Sequence, residues 1–183
     1  MSTPETKKST KTTQQNHDKT IRILGIDPGY ERLGYAVVEK SPHKKETVLV
    51  SGCIRTSATT TFFERLGELG TRIEDIIIAH TPHVLAIEKL YFATNAKTVM
   101  AVSEARGVII YSAVRHGLAI YEYTPLQIKT TIAGDGRADK KQIMFMIPRL
   151  VTLADTPKLD DEFDAIAVAL TCSVRERITK NQH

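Results

Sequence analysis

The chain has no apolar run near the ~18 residues that a membrane-spanning helix needs. Its opening segment, MSTPETKKSTKTTQQNHDKT, has no hydrophobic centre. It therefore reads as a disordered polar tail over 1–20 rather than as a secretory or organelle-targeting signal. Cysteine is scarce: Cys53 and Cys172 form no CxxC pair. That excludes a disulfide framework and a thiolate metal site, and it suits a reducing cytoplasm. Both thiols lie in apolar surroundings and read as buried. The histidines offer no better ligand set, because Pro82 between His80 and His83 breaks helical spacing. Net charge is also small. Of the formal +4, the tail holds +2, with four Lys against Glu5 and Asp18. A polyanionic partner would have to be met by local clustering, since bulk charge is too low to supply it. No internal repeat is visible.

What remains is an ordinary globular composition, 42% hydrophobic and 25% charged over 183 residues, enough for one domain with one core. That domain is expected at 21–178, with a short tail at 179–183. Apolar patterning predicts strands at 21–27, 33–39 and 47–56, joined by short connections as an antiparallel meander. A helix follows, with Leu66, Leu69, Ile73, Ile76 and Ile77 on one face. "HVLAIE" reads as a short buried strand, 95–116 as a helix and "LAIYEY" as a strand. "TPLQIKTTI" reads as a helix capped by Thr124 with Pro125 at its first position. Helices at about 138–151 and from 160 onward complete the chain. Pro148 is expected to kink or interrupt the first of these two. The predicted fold is α/β: a mixed five-stranded sheet, three strands antiparallel and the rest parallel, flanked by helices.

Acidic residues occupy unusual places. Asp27 ends the apolar strand "ILGID" and Glu88 ends "VLAIE". Asp161 and Asp164 lie three apart at the start of the last helix, so they share a face. Each has a structural explanation. Asp before Pro-Gly suits a turn. An acid at a helix start can cap it. Glu88 could pair with Lys89 or Arg106. Gathered together, though, the four would form a like-charge cluster that is costly unless cations occupy it. Oxygen ligands suit Mg²⁺, with Mn²⁺ as a substitute. The chemistry that uses two such ions is phosphodiester hydrolysis. Residues 129–149 add a basic run of Lys129, Arg137, Lys140, Lys141 and Arg149. "GDGRADKK" lacks the Gly-Lys-Ser/Thr ending of a Walker loop. Its glycines and the helix start after it offer a seat for a backbone phosphate. A solvated helix face is the alternative.

Four ordered stretches carry a resemblance: "ILGIDPGYERLGYAVVE", "AIEKLYFATNAKTVMAVSEARGVI", "EYTPLQIKTTIAGDGRADKKQI" and "DDEFDAIAVALTC". Over about Ile21 to Val174 the chain resembles the RuvC family of Holliday junction resolvases. The resemblance implies an RNase H-like fold, a homodimer and Mg²⁺-dependent paired nicking of four-way DNA junctions in recombination and repair. It also implies a setting beside a branch-migration motor. Asp27, Glu88, Asp161 and Asp164 match the family's metal-binding carboxylates, taken to hold two ions per subunit. Lys129 and Lys140 match its DNA-backbone contacts, and Tyr91 matches an aromatic that meets unstacked bases. Arg137 and Lys141 are further DNA-binding candidates from the basic run. One departure is Tyr30-Glu31-Arg32, where small or basic residues are more usual. Pro148 is another. Competing readings are an actin-like phosphotransferase, a junction binder without catalysis, and a relative acting on another nucleic-acid structure. The actin-like folds need two such domains and lack the paired acids on a last helix.

Overall fold

A computed structural model describes residues 20–90, 96–176 and 178. Apart from Thr20, the proposed tails lie outside the described residues, as does Tyr91. The chain opens with β1 (Ile21–Asp27), β2 (Arg32–Lys40) and β3 (Thr47–Arg55), paired antiparallel as the short connections predict. Then come α1 (Phe62–His80), β4 (Val84–Glu88), α2 (Ala96–Arg115), β5 (Ala119–Tyr123), α3 (Pro125–Ala133), α4 (Lys140–Leu150), β6 (Thr152–Leu153) and α5 (Asp160–Arg175). The sheet has six strands in the order β5-β4-β1-β2-β3-β6. The five-strand expectation misses β6, whose two residues pair parallel with β3 and are too short to show a pattern.

β1 lies at the centre and is buried on both faces. Ile23 packs with the layer of α3, α4 and α5, while Leu24 and Ile26 pack with α1 and α2. Burying each such side chain stabilises the fold by about 1.5–3 kcal/mol before entropy is charged. β4 runs parallel to β1 and divides likewise, with Val84 and Ala86 on the α5 face and Leu85 and Ile87 on the other.

Helix ends follow local chemistry. Thr61 and Glu64 form a capping box on α1, as do Thr124 and Gln127 on α3, with Pro125 in the first turn. Pro148 lies in the last turn of α4, which ends two residues later at Leu150. Cys172 is buried as expected, but Cys53 is only partly covered, since β3 lies near the edge of the sheet. Among the described residues no helix is long and apolar enough to cross a membrane.

Two glycines set how closely α5 lies on the sheet. A Cβ on Gly25 would stand 2.3 Å from the Ala165 carbonyl oxygen, and one on Gly34 would stand 2.1 Å from that of Asp161. Only a residue without a side chain lets the helix backbone approach so near.

Candidate active site

β1 and β4 are parallel neighbours with Ile26 beside Ile87, so Asp27 and Glu88 leave the sheet at the same edge. Ile26 and Ile87 face α1 and α2, so strand alternation turns both acids toward α5. Across the other side of β1, Asp27 is in register with Gly34. The Asp161 backbone packs on that glycine, which brings the first turn of α5 over the end of β1. Asp164 follows one turn along the helix. The fold thus brings together all four predicted carboxylates.

Electrostatics records the convergence. Burial, followed by Asp164, Glu88 and Asp161, pushes the Asp27 carboxyl up to about 7, against a smaller opposing effect from Lys140. Burial and Asp164 also raise Glu88, which Lys129 partly offsets. A lone turn residue would not feel three other carboxylates, so the turn reading of Asp27 is insufficient.

The other structural readings are displaced by specific contacts. Glu162 does the capping of α5: its Oε1 accepts from the backbone N–H groups of Lys158 and Leu159, each at 3.2 Å. Its Oε2 accepts from the Ser51 hydroxyl at 2.8 Å. Asp161 and Asp164 are therefore not needed as caps. Arg106 pairs with Glu122 instead of Glu88, because strand alternation sends Glu122 to the opposite face of β5 from Tyr123.

Cations border the cluster on two sides. Lys140 Nζ donates to Asp164 Oδ2 at 3.0 Å and lies 3.4 Å from Asp160 Oδ2. Lys129 and Lys140 line a hollow of about 250 Å³ with Glu88, Ile128 and Asp164. On the other side Arg32 donates to Asp161 Oδ2 from Nε at 3.0 Å and also from Nη2. Lys141 belongs to a separate hollow with Asp135, Gln142 and Phe145, and Arg137 is exposed on the preceding loop. At the start of α4 a capping box uses two backbone donors: the Gln142 N–H donates to Asp139 Oδ1, and the Asp139 N–H donates to Gln142 Oε1. Sequence reading missed Arg32 as a contact of the cluster. Its signal was parity, since Arg32 and Gly34 are two apart on β2 and face the same way.

The donor set is all oxygen, which fits a hard divalent cation. As placed, no three His, Cys, Asp or Glu side chains among the described residues are close enough to share one ion. Arg32 and Lys140 hold two of the carboxylates in ion pairs.

A central β1 flanked by parallel β4 and antiparallel β2, with acids at the strand ends and on the helix crossing them, defines an RNase H-like nuclease. A profile described as "Crossover junction endodeoxyribonuclease RuvC" matches residues 23–172. The RuvC crossover junction endodeoxyribonuclease of Caldicellulosiruptor saccharolyticus is 46% identical over 150 residues, covering 82% of this chain and 90% of that protein. That of Alkaliphilus metalliredigens is 47% identical over 148 residues, 81% of this chain and 90% of that one. The structure of Thermus thermophilus RuvC in complex with Holliday junction substrate matches with a TM-score of 0.78 at 29% identity, over 84% of this chain and 93% of that chain. The chain belongs to the RuvC family of crossover junction endodeoxyribonucleases. It is a DNA-cutting hydrolase of recombination and repair, and nucleases of this family are metal-dependent.

Proposed function

We propose that this chain resolves four-way DNA junctions in the cytoplasm by paired symmetric nicks, with Asp27, Glu88, Asp161 and Asp164 holding two Mg²⁺ or Mn²⁺ ions per subunit. The observation that carries the reading is the raised Asp27 carboxyl, surrounded by three further acids at one sheet edge. Acids kept this close serve a binder of polyanions poorly, but they suit cation capture. When bound, the ions supply Lewis acidity toward the attacking water and the leaving oxygen. The chain supplies position. Asp27 and Glu88 stand on central strands that cannot shift without disturbing the core, and α5 is fixed by its contacts at Gly25 and Gly34. Lys129 and Lys140 hold backbone phosphates on the α3–α4 side without reading bases. Tyr91, Arg137 and Lys141 are proposed to extend the DNA contact, Tyr91 by stacking on an opened base.

Symmetric nicks need two sites, which an isologous homodimer provides. α2 buries Ala105, Ile109 and Ala113 but exposes Met100, Tyr111 and Val114 around Glu104 on its other face, a surface suited to a second copy.

The test is direct. Purified protein is incubated with a four-way junction, a linear duplex and a splayed fork, with and without Mg²⁺, and nicks are mapped. Mg²⁺-dependent nicks at symmetric positions in the junction are expected. Asp27→Asn should abolish them while junction binding persists. Wild-type cleavage by each of the four Asn or Gln variants would overturn the assignment. A monomer by sedimentation at micromolar concentration that still makes paired nicks would overturn the dimer.

A further inference from the structure

The loop between β1 and β2 is built rather than loose. The Tyr30 ring lies beneath the Arg65 guanidinium, 4.5 Å from its centroid, and edge-on to Phe62 at 5.9 Å. Arg65 is itself buried, and its Nε donates to the Thr56 hydroxyl at 2.8 Å. That hydroxyl donates to the Tyr30 carbonyl at 2.7 Å, and the Thr56 N–H donates to the Glu31 carbonyl at 3.2 Å. These contacts fix the backbone entering β2, and so fix where Arg32 emerges.

Arg32 emerges on the α5 face, at the rim of the carboxylate cluster. Both of its donors converge on one oxygen of Asp161, leaving that carboxylate's other oxygen outside the pair. Its side chain remains 49% exposed. Arg55, also exposed, stands directly opposite Arg32 in the β2–β3 register, on the same face. Like charges placed across from one another are unfavourable unless anions serve them. Asp161 serves Arg32 while the cluster is free of metal. A divalent ion drawn to Asp161 would compete for that carboxylate and repel the guanidinium beside it. Arg32 would then be released to meet another anion at the same rim, opposite the side guarded by Lys129 and Lys140. A DNA strand laid across the cluster brings phosphates there, and a guanidinium suits a phosphodiester.

We propose that Arg32 is a phosphate-positioning residue: Asp161 holds it in the metal-free enzyme, and metal loading transfers it to the DNA backbone. The proposal rests on the carboxylates being the metal site. Metal and junction binding are thereby coupled, since the ion gives up to Arg32's next partner the bond it displaces.

The test uses full-length protein with Arg32→Gln, which keeps length and hydrogen bonding but loses charge, and Arg32→Lys, which keeps charge. A cooperative thermal melt for each variant establishes that both fold. First, Mn²⁺ binding is titrated calorimetrically without DNA. Arg32→Gln should bind about 3- to 10-fold more tightly than wild type, because a competing cation is gone. Second, junction affinity is measured against salt in EDTA and in Ca²⁺. Arg32→Gln should match wild type in EDTA. In Ca²⁺ it should bind several-fold more weakly, with a salt slope smaller by about 0.9, as for one lost phosphate contact. Arg32→Lys should retain most of the slope. Opposite movements of metal and junction affinity are not expected of a residue that merely supports the loop. Unchanged Mn²⁺ affinity, or an unchanged slope in Ca²⁺, overturns the Arg32 proposal alone. Absence of Mn²⁺ uptake by wild type overturns the metal-site reading, and the Arg32 proposal with it.

Discussion

The raised Asp27 carboxyl makes the metal-free protein sensitive to pH in a direction opposite to that of a salt-bridged acid. Its ordinary value is 3.8 and its folded value is about 7. The folded state therefore binds the Asp27 proton more tightly than the unfolded chain does. Stability from this group is full below pH ~4, falls between ~4 and ~7, and is absent above ~7. The whole span corresponds to at most about 4 kcal/mol, taking 1.36 kcal/mol per pKa unit. Solvent reaching the half-buried side chain reduces that figure. Asp27→Asn replaces the titrating group with a neutral one of the same shape. Melting temperatures should be compared in EDTA from pH 5 to 8.5, with each wild-type value set against the variant's. Near pH 5 the two proteins should be close. Toward pH 8 wild type should fall below the variant, by roughly 2–4 °C per kcal/mol for a domain of this size. Adding Mg²⁺ or Mn²⁺ at pH 8 should close the gap by stabilising wild type selectively. A difference between the two proteins that is constant with pH would refute the argument. It would mean that Asp27 is ionised in the fold without cost, and hence that the acids are not crowded.

Gly34→Ala should lower stability by about 1–3 kcal/mol and abolish cleavage, because the new Cβ meets the Asp161 carbonyl and pushes the first turn of α5 off the sheet; thermal melts and a junction nicking assay check both. Glu162→Gln should cost about 1–3 kcal/mol by weakening a buried cap, yet leave cleavage near wild type at permissive temperature. Its neighbour Asp161→Asn should do the reverse, losing cleavage without losing stability in EDTA.

Most of the architecture is readable from alternation and punctuation. β1 and β4 are short apolar runs with an acid at the end, and Thr124-Pro125 announces a helix start. Period and turn chemistry are local, so one sequence suffices to see them. β6 escaped because two residues have no period, and their pairing with β3 depends on where α4 releases the chain. The four carboxylates were visible as residues out of place. Their convergence was implied by the family resemblance and not by local pattern, because it depends on Gly34 lying opposite Asp27 and under Asp161, a relation across two registers. The basic run shows the same limit. Five cations lie within 129–149 of the sequence. α3 and α4 bring Lys129 and Lys140 to the cluster, but Lys141 lines another hollow.

A site of like charges cannot be chosen for stability, since each added acid raises the cost of ionising the others. Its position has to be enforced by structure with energy to spare. Here Asp27 and Glu88 extend strands whose preceding residues are wholly buried, so neither acid can withdraw without exposing Ile26 or Ile87. Asp161 and Asp164 belong to a helix held by apolar side chains along nearly its full length, and Glu162 ties down the segment that leads into it. Around this set stand the two cations. Lys140 and Arg32 approach from opposite sides, on long side chains, and each partly neutralises one helix acid. Carboxylates on fixed backbone, with cations on long, half-exposed side chains, are what the proposed exchange of Asp161 from Arg32 to a metal ion requires. That arrangement suits an enzyme that must admit metal ions and then a polyanion to the same few ångströms of surface.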